Sequence, residues 1–109
     1  MESTREWVKK LGILLSCAPA HRNFQHALGL ARTALQRGLQ VYLYCIDEAV
    51  TGIASEPVQK LKQDGMVLYG CAFSARTRNI PIDDHAAYSG LTVVSDLIAA
   101  TDRFLAFNP

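Results

Sequence analysis

The sequence predicts a single α/β domain built on a parallel sheet of four or five strands, with helices on both faces. Short apolar runs alternate along the chain with stretches of helical periodicity, the pattern of repeated strand–helix–strand units. The 109 residues suffice for one core but not for two, so residues 1–109 read as one domain. Cys17, Cys45 and Cys71 each fall at or just past the end of an apolar run. Right-handed crossovers place the carboxyl ends of all parallel strands along one rim, where ligands and chemistry usually lie in such sheets.

The first strand is "KLGILLSC", residues 10–17, an apolar run closing on a small polar residue and buried on both faces. "NFQHALGLARTALQRG", 23–38, is the first helix. Phe24, Ala27, Leu28, Ala31 and Leu35 recur at helical spacing, with Asn23 as the expected cap and Gly38 as the stop. The β-branched and aromatic "LQVYLYCI", 39–46, is the second strand. "DEAVTGIA", 47–54, is a loop or one helical turn. Ser55 then caps a short helix with Pro57 in its first turn and Gly65 past its end. "MVLYG", 66–70, is the third strand, and the compact segment after Cys71 is a short helix. "NIPIDDHAAYSG", 79–90, reads mostly as loop. In "LTVVSDLIAATD", 91–102, Leu91, Val94 and Ile98 share one helical face, and "RFLAF", 103–107, is the closing strand. Trp7, ahead of the first strand, reads as cover for a sheet edge or as a subunit contact.

Composition narrows the function. Hydrophobic residues make up 50% of the chain, which excludes a disordered tail. The net charge of +1 supplies no general attraction to nucleic acid or to a membrane surface. No apolar run is long enough to span a bilayer. The opening "MESTREWVKK" carries charges of both signs, so a signal peptide is not expected and the cytoplasm is the expected compartment. Three cysteines are too few for a disulfide scaffold, and without a Cys-x-x-Cys pair no structural zinc site is expected. Free thiols in a reducing compartment follow.

Cys71 stands where the third strand passes into a helix. A helix N-terminus offers free N–H groups and partial positive charge, and both favour negative charge on sulfur. Arg76 and Arg78 add positive charge. Arg78 lies two turns on along roughly the same side, so its part is partner recognition or long-range field rather than contact. From position alone, Cys71 suits a small buried thiol filling space equally well.

The stretch "YGCAFSARTRNI" resembles the signature of the DsrE-like sulfur-relay family, which includes the Tus relay subunits. There a strand ends in a cysteine, small residues follow, and an arginine precedes a glycine and an aliphatic residue. Cys71, Ala75, Arg78 and Ile80 fill those places, with Asn79 standing where glycine is usual. Asparagine tolerates left-handed backbone better than most residues, so the turn survives the exchange. "KLGILLSCAPAHRNFQHALGLARTALQRG", "VYLYCIDEAV" and "ATDRFLAF" are similar to the family's opening strand and helix, its second strand with an acidic–small–aliphatic turn, and its closing strand.

The resemblance implies a three-layer flavodoxin-like domain assembled as a homotrimer or homohexamer. It implies too that Cys71 carries a persulfide between protein donor and acceptor thiols, with no metal or organic cofactor. Apolar groups in loops, such as Phe73, Ile80, Ile82 and Tyr88, are the expected subunit contacts, since burial stabilises by about 25 cal/mol per Å² of apolar area. The competing functions are a non-catalytic subunit or small-ligand binding module on the same fold, and a redox sensor pairing Cys71 with Cys17.

The remaining candidates read more plainly. Cys17 opens the loop "CAPAHRN" and is an accessory thiol only if the rim brings it to Cys71; Cys45 reads as core. His21, His26 and His85 read as solvated or helix-surface histidines. Asp83, Asp84 and His85 read as a solvated loop, because three adjacent residues do not easily converge on one ion. "CAPAHRN" lacks the glycines and the lysine of a phosphate loop, so nucleotide binding is the weakest reading.

Overall fold

The computed structural model describes residues 8–109, so Trp7 lies outside the described residues. Five strands form one sheet: β1 (Lys10–Leu15), β2 (Gln40–Cys45), β3 (Val67–Cys71), β4 (Ala87–Ser89) and β5 (Arg103–Phe107). All pairings are parallel, in the order β4-β3-β2-β1-β5. The helices are α1 (Arg22–Gln36), α2 (Glu56–Gln63), α3 (Ala72–Thr77) and α4 (Thr92–Ala100), with a 3₁₀ turn over Asp47–Gly52. This is the parallel α/β sheet that the residue pattern predicts, in the three-layer flavodoxin-like form that the family resemblance implies. Among the described residues no helix is long and apolar enough to cross a membrane.

Side-chain alternation along the strands divides the core in two. Leu11, Ile13 and Leu15 of β1, Val41, Leu43 and Cys45 of β2 and Leu68 of β3 join Phe24, Ala27, Leu28 and Ala31 of α1 and Val58 and Leu61 of α2 in the larger cluster. The other face carries Leu14, Tyr42, Tyr44, Tyr69, Cys71 and Phe104, against Val93, Val94 and Leu97 of α4. One nine-residue helix covers that second face, and Leu14, Tyr42 and Tyr69 stay half-buried.

Local signals place the element ends. The expected stops hold: Gly38 and Gly65 take left-handed backbone with φ of 83° and 115°. The α1 cap differs from expectation. His21 rather than Asn23 is the cap, its Nδ1 accepting the Asn23 N–H at 3.0 Å. Ser55 caps α2 by position, but its hydroxyl donates back to the Gly52 carbonyl at 2.6 Å instead of accepting from the helix. The fifth strand, β4, arises inside the segment read as loop. Its three residues are too few to show alternation, and they extend because β3 offers a free edge.

Candidate functional site

Cys71 ends β3 and caps α3. Its Sγ accepts the Ser74 N–H at 3.4 Å. The turn is set from both sides. Ser74 is buried, and its Oγ accepts the Asp47 N–H at 3.0 Å, tying α3 to the 3₁₀ turn. Asp47 itself is left-handed with φ of 54°. One residue before the cysteine, Gly70 has no room for a side chain, since a Cβ there would stand 2.7 Å from both Ile53 Cδ1 and Tyr88 Cε1. At the far end of α3, Asn79 has φ of 57°, the left-handed turn expected where the family resemblance places glycine.

The Cys71 sulfur faces the α4 side of the sheet, beside Tyr44 and Leu97. The Tyr44 hydroxyl lies at 3.1 Å from the carbonyls of both Ser89 and Gly90 and donates to them. Burial pushes the Tyr44 phenol above its ordinary pKa; the bond to Ser89 opposes this, and the neighbouring Cys71 adds to it. Ser89 is the register partner of Cys71 across β3 and β4.

A cavity of about 590 Å³ opens at this point, walled by Ile46, Asp47, Cys71–Ser74, Arg76 and Tyr88–Leu91. Phe73 and Leu91 stand at its mouth, 72% and 57% exposed, whereas Cys71 is only 4% exposed. A thiol in this place can meet a slender reagent or partner thiol arriving through the cavity, with an N–H already bonded to its sulfur.

Arg76 is exposed and borders the cavity. Arg78 does not line it. Its guanidinium bridges Glu48 at 3.1 Å and donates to the Ser74 carbonyl at 3.3 Å, and its Nε is buried without a partner among the described residues. Cys17 is also apart from the site. It lies fully buried in the larger core cluster with Cys45, while Cys71 belongs to the cluster on the opposite face. All three thiols are free and near the carboxyl rim, but the sheet separates Cys17 from Cys71. The Cys17–Cys71 disulfide that a redox sensor needs has no route here, because the two β-carbons must come within about 4.5 Å on one side. Burial raises the Cys17 thiol, and it pushes Cys45 up to about 12, with Cys17 adding to the effect.

The histidines lie elsewhere. His21 is spent on the α1 cap, and none of His21, His26 and His85 borders the cavity. Asp83 accepts from the His85 N–H and faces its ring, each at 3.0 Å, in an exposed turn, which lowers the Asp83 pKa chiefly through the backbone bond.

No family model matches the sequence, and no curated protein matches it. Solved structures do. The ychN protein from E. coli superposes with a TM-score of 0.80 at 19% identity, over 92% of this chain and 100% of that one. The fold is shared. A conserved protein of unknown function from Bacteroides thetaiotaomicron superposes with a TM-score of 0.70 at 14% identity, over 90% of this chain and 94% of that one. Both likenesses extend across nearly the whole of each chain, so the fold is shared over its full length.

Tyr44, Ser74 and Ser89 are site residues that sequence reasoning missed. Strand parity was the available signal for Tyr44. In "VYLYCI" it must face away from Cys45, and Cys45 pairs with Gly70, so Tyr44 and Cys71 share a face. Ser89 gave no signal, because β4 is too short to be recognised.

Proposed function

We propose that the chain is a DsrE-like sulfur carrier that accepts sulfur on Cys71 as a persulfide and passes it to a partner thiol. One observation carries this: the strand-end sulfur that caps α3, with the Ser74 N–H on it, forms part of the wall of a rim cavity. The fold and the "YGCAFSARTRNI" resemblance support the family placement. In the reaction the Cys71 thiolate attacks the outer sulfur of a donor persulfide. One S–S bond forms as the donor's breaks, and the donor cysteine leaves as a thiolate with the electron pair. Transfer to the acceptor repeats the exchange in reverse. Oxidation states balance without metal or cofactor. Arg76 at the rim favours an acidic segment on the protein donor or acceptor, and Arg78 holds the α3 turn against Glu48.

The test is sulfur loading measured by intact mass. Wild type and Cys17→Ser gain one sulfur from a small polysulfide donor, and Cys71→Ser gains none. Arg76→Ala slows transfer from a protein donor more than from the small donor. Retention of loading by Cys71→Ser would assign the sulfur elsewhere and end this reading. The 4% exposure of Cys71 beneath a largely apolar cavity favours one second reading, a small-ligand binding module. In that case wild type takes up no sulfur.

A further inference from the structure

The site contains a buried hydroxyl with no hydrogen-bond partner among the described residues. Ser89 Oγ is out of contact with solvent and has no partner among the described residues, and Ser89 is one of the residues that line the Cys71 cavity. Buried hydroxyls are ordinarily paired, and an unpaired one is costly to keep. Its position is specific. Ser89 is the register partner of Cys71 in the parallel β3–β4 pair, so the two side chains leave the sheet on the same face. Tyr44 fixes the Ser89 backbone by donating to its carbonyl and to that of Gly90. The Ser74 N–H already serves Cys71 Sγ. A second sulfur on Cys71 would be a further anionic acceptor in the same cavity.

We propose that Ser89 Oγ–H is the hydrogen-bond donor to the outer sulfur of a Cys71 persulfide. This rests on the sulfur-carrier reading above and adds a binding group to it. The inner sulfur takes its N–H from Ser74 and the outer sulfur takes its O–H from Ser89. No bond is made or broken at the hydroxyl. It favours the charged form of the persulfide over the protonated form, and so holds the sulfur ready for transfer. The titratable and charged groups around this point are Tyr42 and Tyr44 of β2, Tyr69 of β3, Asp47 of the 3₁₀ turn, Arg76 of α3 and Tyr88 of β4, and substitution at Ser89 leaves all six in place.

The experiment compares wild type, Ser89→Ala, Ser89→Thr and Cys71→Ser after treatment with inorganic polysulfide. Intact mass reports loading, and the pH dependence of alkylation of the loaded protein by iodoacetamide reports the persulfide. Ser89→Ala loads to the wild-type stoichiometry, but its alkylation profile moves up by about one to two pH units, the effect of one lost hydrogen bond to an anion. Ser89→Thr restores the wild-type profile. The unloaded Ser89→Ala protein is as heat-stable as wild type or more so, because the hydroxyl it lacks had no partner. A wild-type profile in Ser89→Ala, with loading intact, overturns the proposal for Ser89 and leaves the carrier reading standing. Absence of loading in wild type overturns both.

Discussion

Two buried residues carry energies that denaturation can read. Ser74 Oγ takes the Asp47 N–H in a partly buried place. Ser74→Ala removes that acceptor and lowers unfolding stability by about 0.5–1.5 kcal/mol, measured by urea titration. A loss below a few tenths would mean that Asp47 finds another partner. Cys45 gives a pH dependence. Its folded pKa, pushed up to about 12 from an ordinary 9.0, lies above the unfolded one. The contribution is therefore whole below pH 9 and lost as the pH rises toward 12. Stability should decline by up to about 1.4 kcal/mol per pH unit from this group. Cys45→Ala is less stable at neutral pH, because it opens a hole in the core, but its decline above pH 9 is shallower. Equal slopes in the two proteins would remove Cys45 as the source.

At the scale of elements, the site depends on how closely β3 and β4 approach. Gly70→Ala places a methyl against Ile53 and Tyr88. It should destabilise by about 1–3 kcal/mol and reduce sulfur loading, because Tyr88 and Ser89 move together. Wild-type stability would show that the Tyr88 ring swings aside freely. Asn79→Val forces a β-branched residue into left-handed backbone and should destabilise by about 1–2 kcal/mol, whereas Asn79→Gly is tolerated. The four longer strands and the four helices were legible because each carries its own periodicity, cap or stop. The closing strand was read to the residue, at Arg103–Phe107. The strand β4 was not, since pairing to β3 rather than local preference extends it. The α1 cap was misplaced by two residues, because histidine competes with asparagine for the same N–H and nothing local decides between them. Cys71 stood out as the cysteine at a strand-to-helix junction. The opposite facing of Cys17 became visible only once the loop path was known.

For the whole molecule, the unequal cover of the sheet is the main consequence of the strand order. One face is closed by α1 and α2, the other by α4 alone. Phe73, Ile82, Leu91, Ile98 and Leu105 are large apolar side chains left exposed. Of the contacts expected from sequence, Phe73 and Ile82 are among them, while Ile80 and Tyr88 pack against the larger core instead. We expect a homotrimer or homohexamer in solution, three or six times the chain mass by light scattering. Replacing Phe73 and Leu91 with Asp should shift the distribution toward monomer. A wild-type monomer at micromolar concentration would count against assembly through these side chains.

The strand β4 has three residues, lies outermost in the sheet, and is tied to β2 by the Tyr44 hydroxyl. It also forms one wall over a sulfur that is nearly enclosed. Short edge strands open at lower free energy than central ones, so on the sulfur-carrier reading a donor too bulky for the cavity reaches Cys71 only after β4 opens. With rising donor concentration the loading rate should level off at the rate of edge opening, and Tyr44→Phe should raise that plateau. A rate that climbs in proportion to donor, unchanged by Tyr44→Phe, would mean the sulfur is reached through the closed edge. Saturation here would measure the breathing of the sheet rather than affinity for the donor.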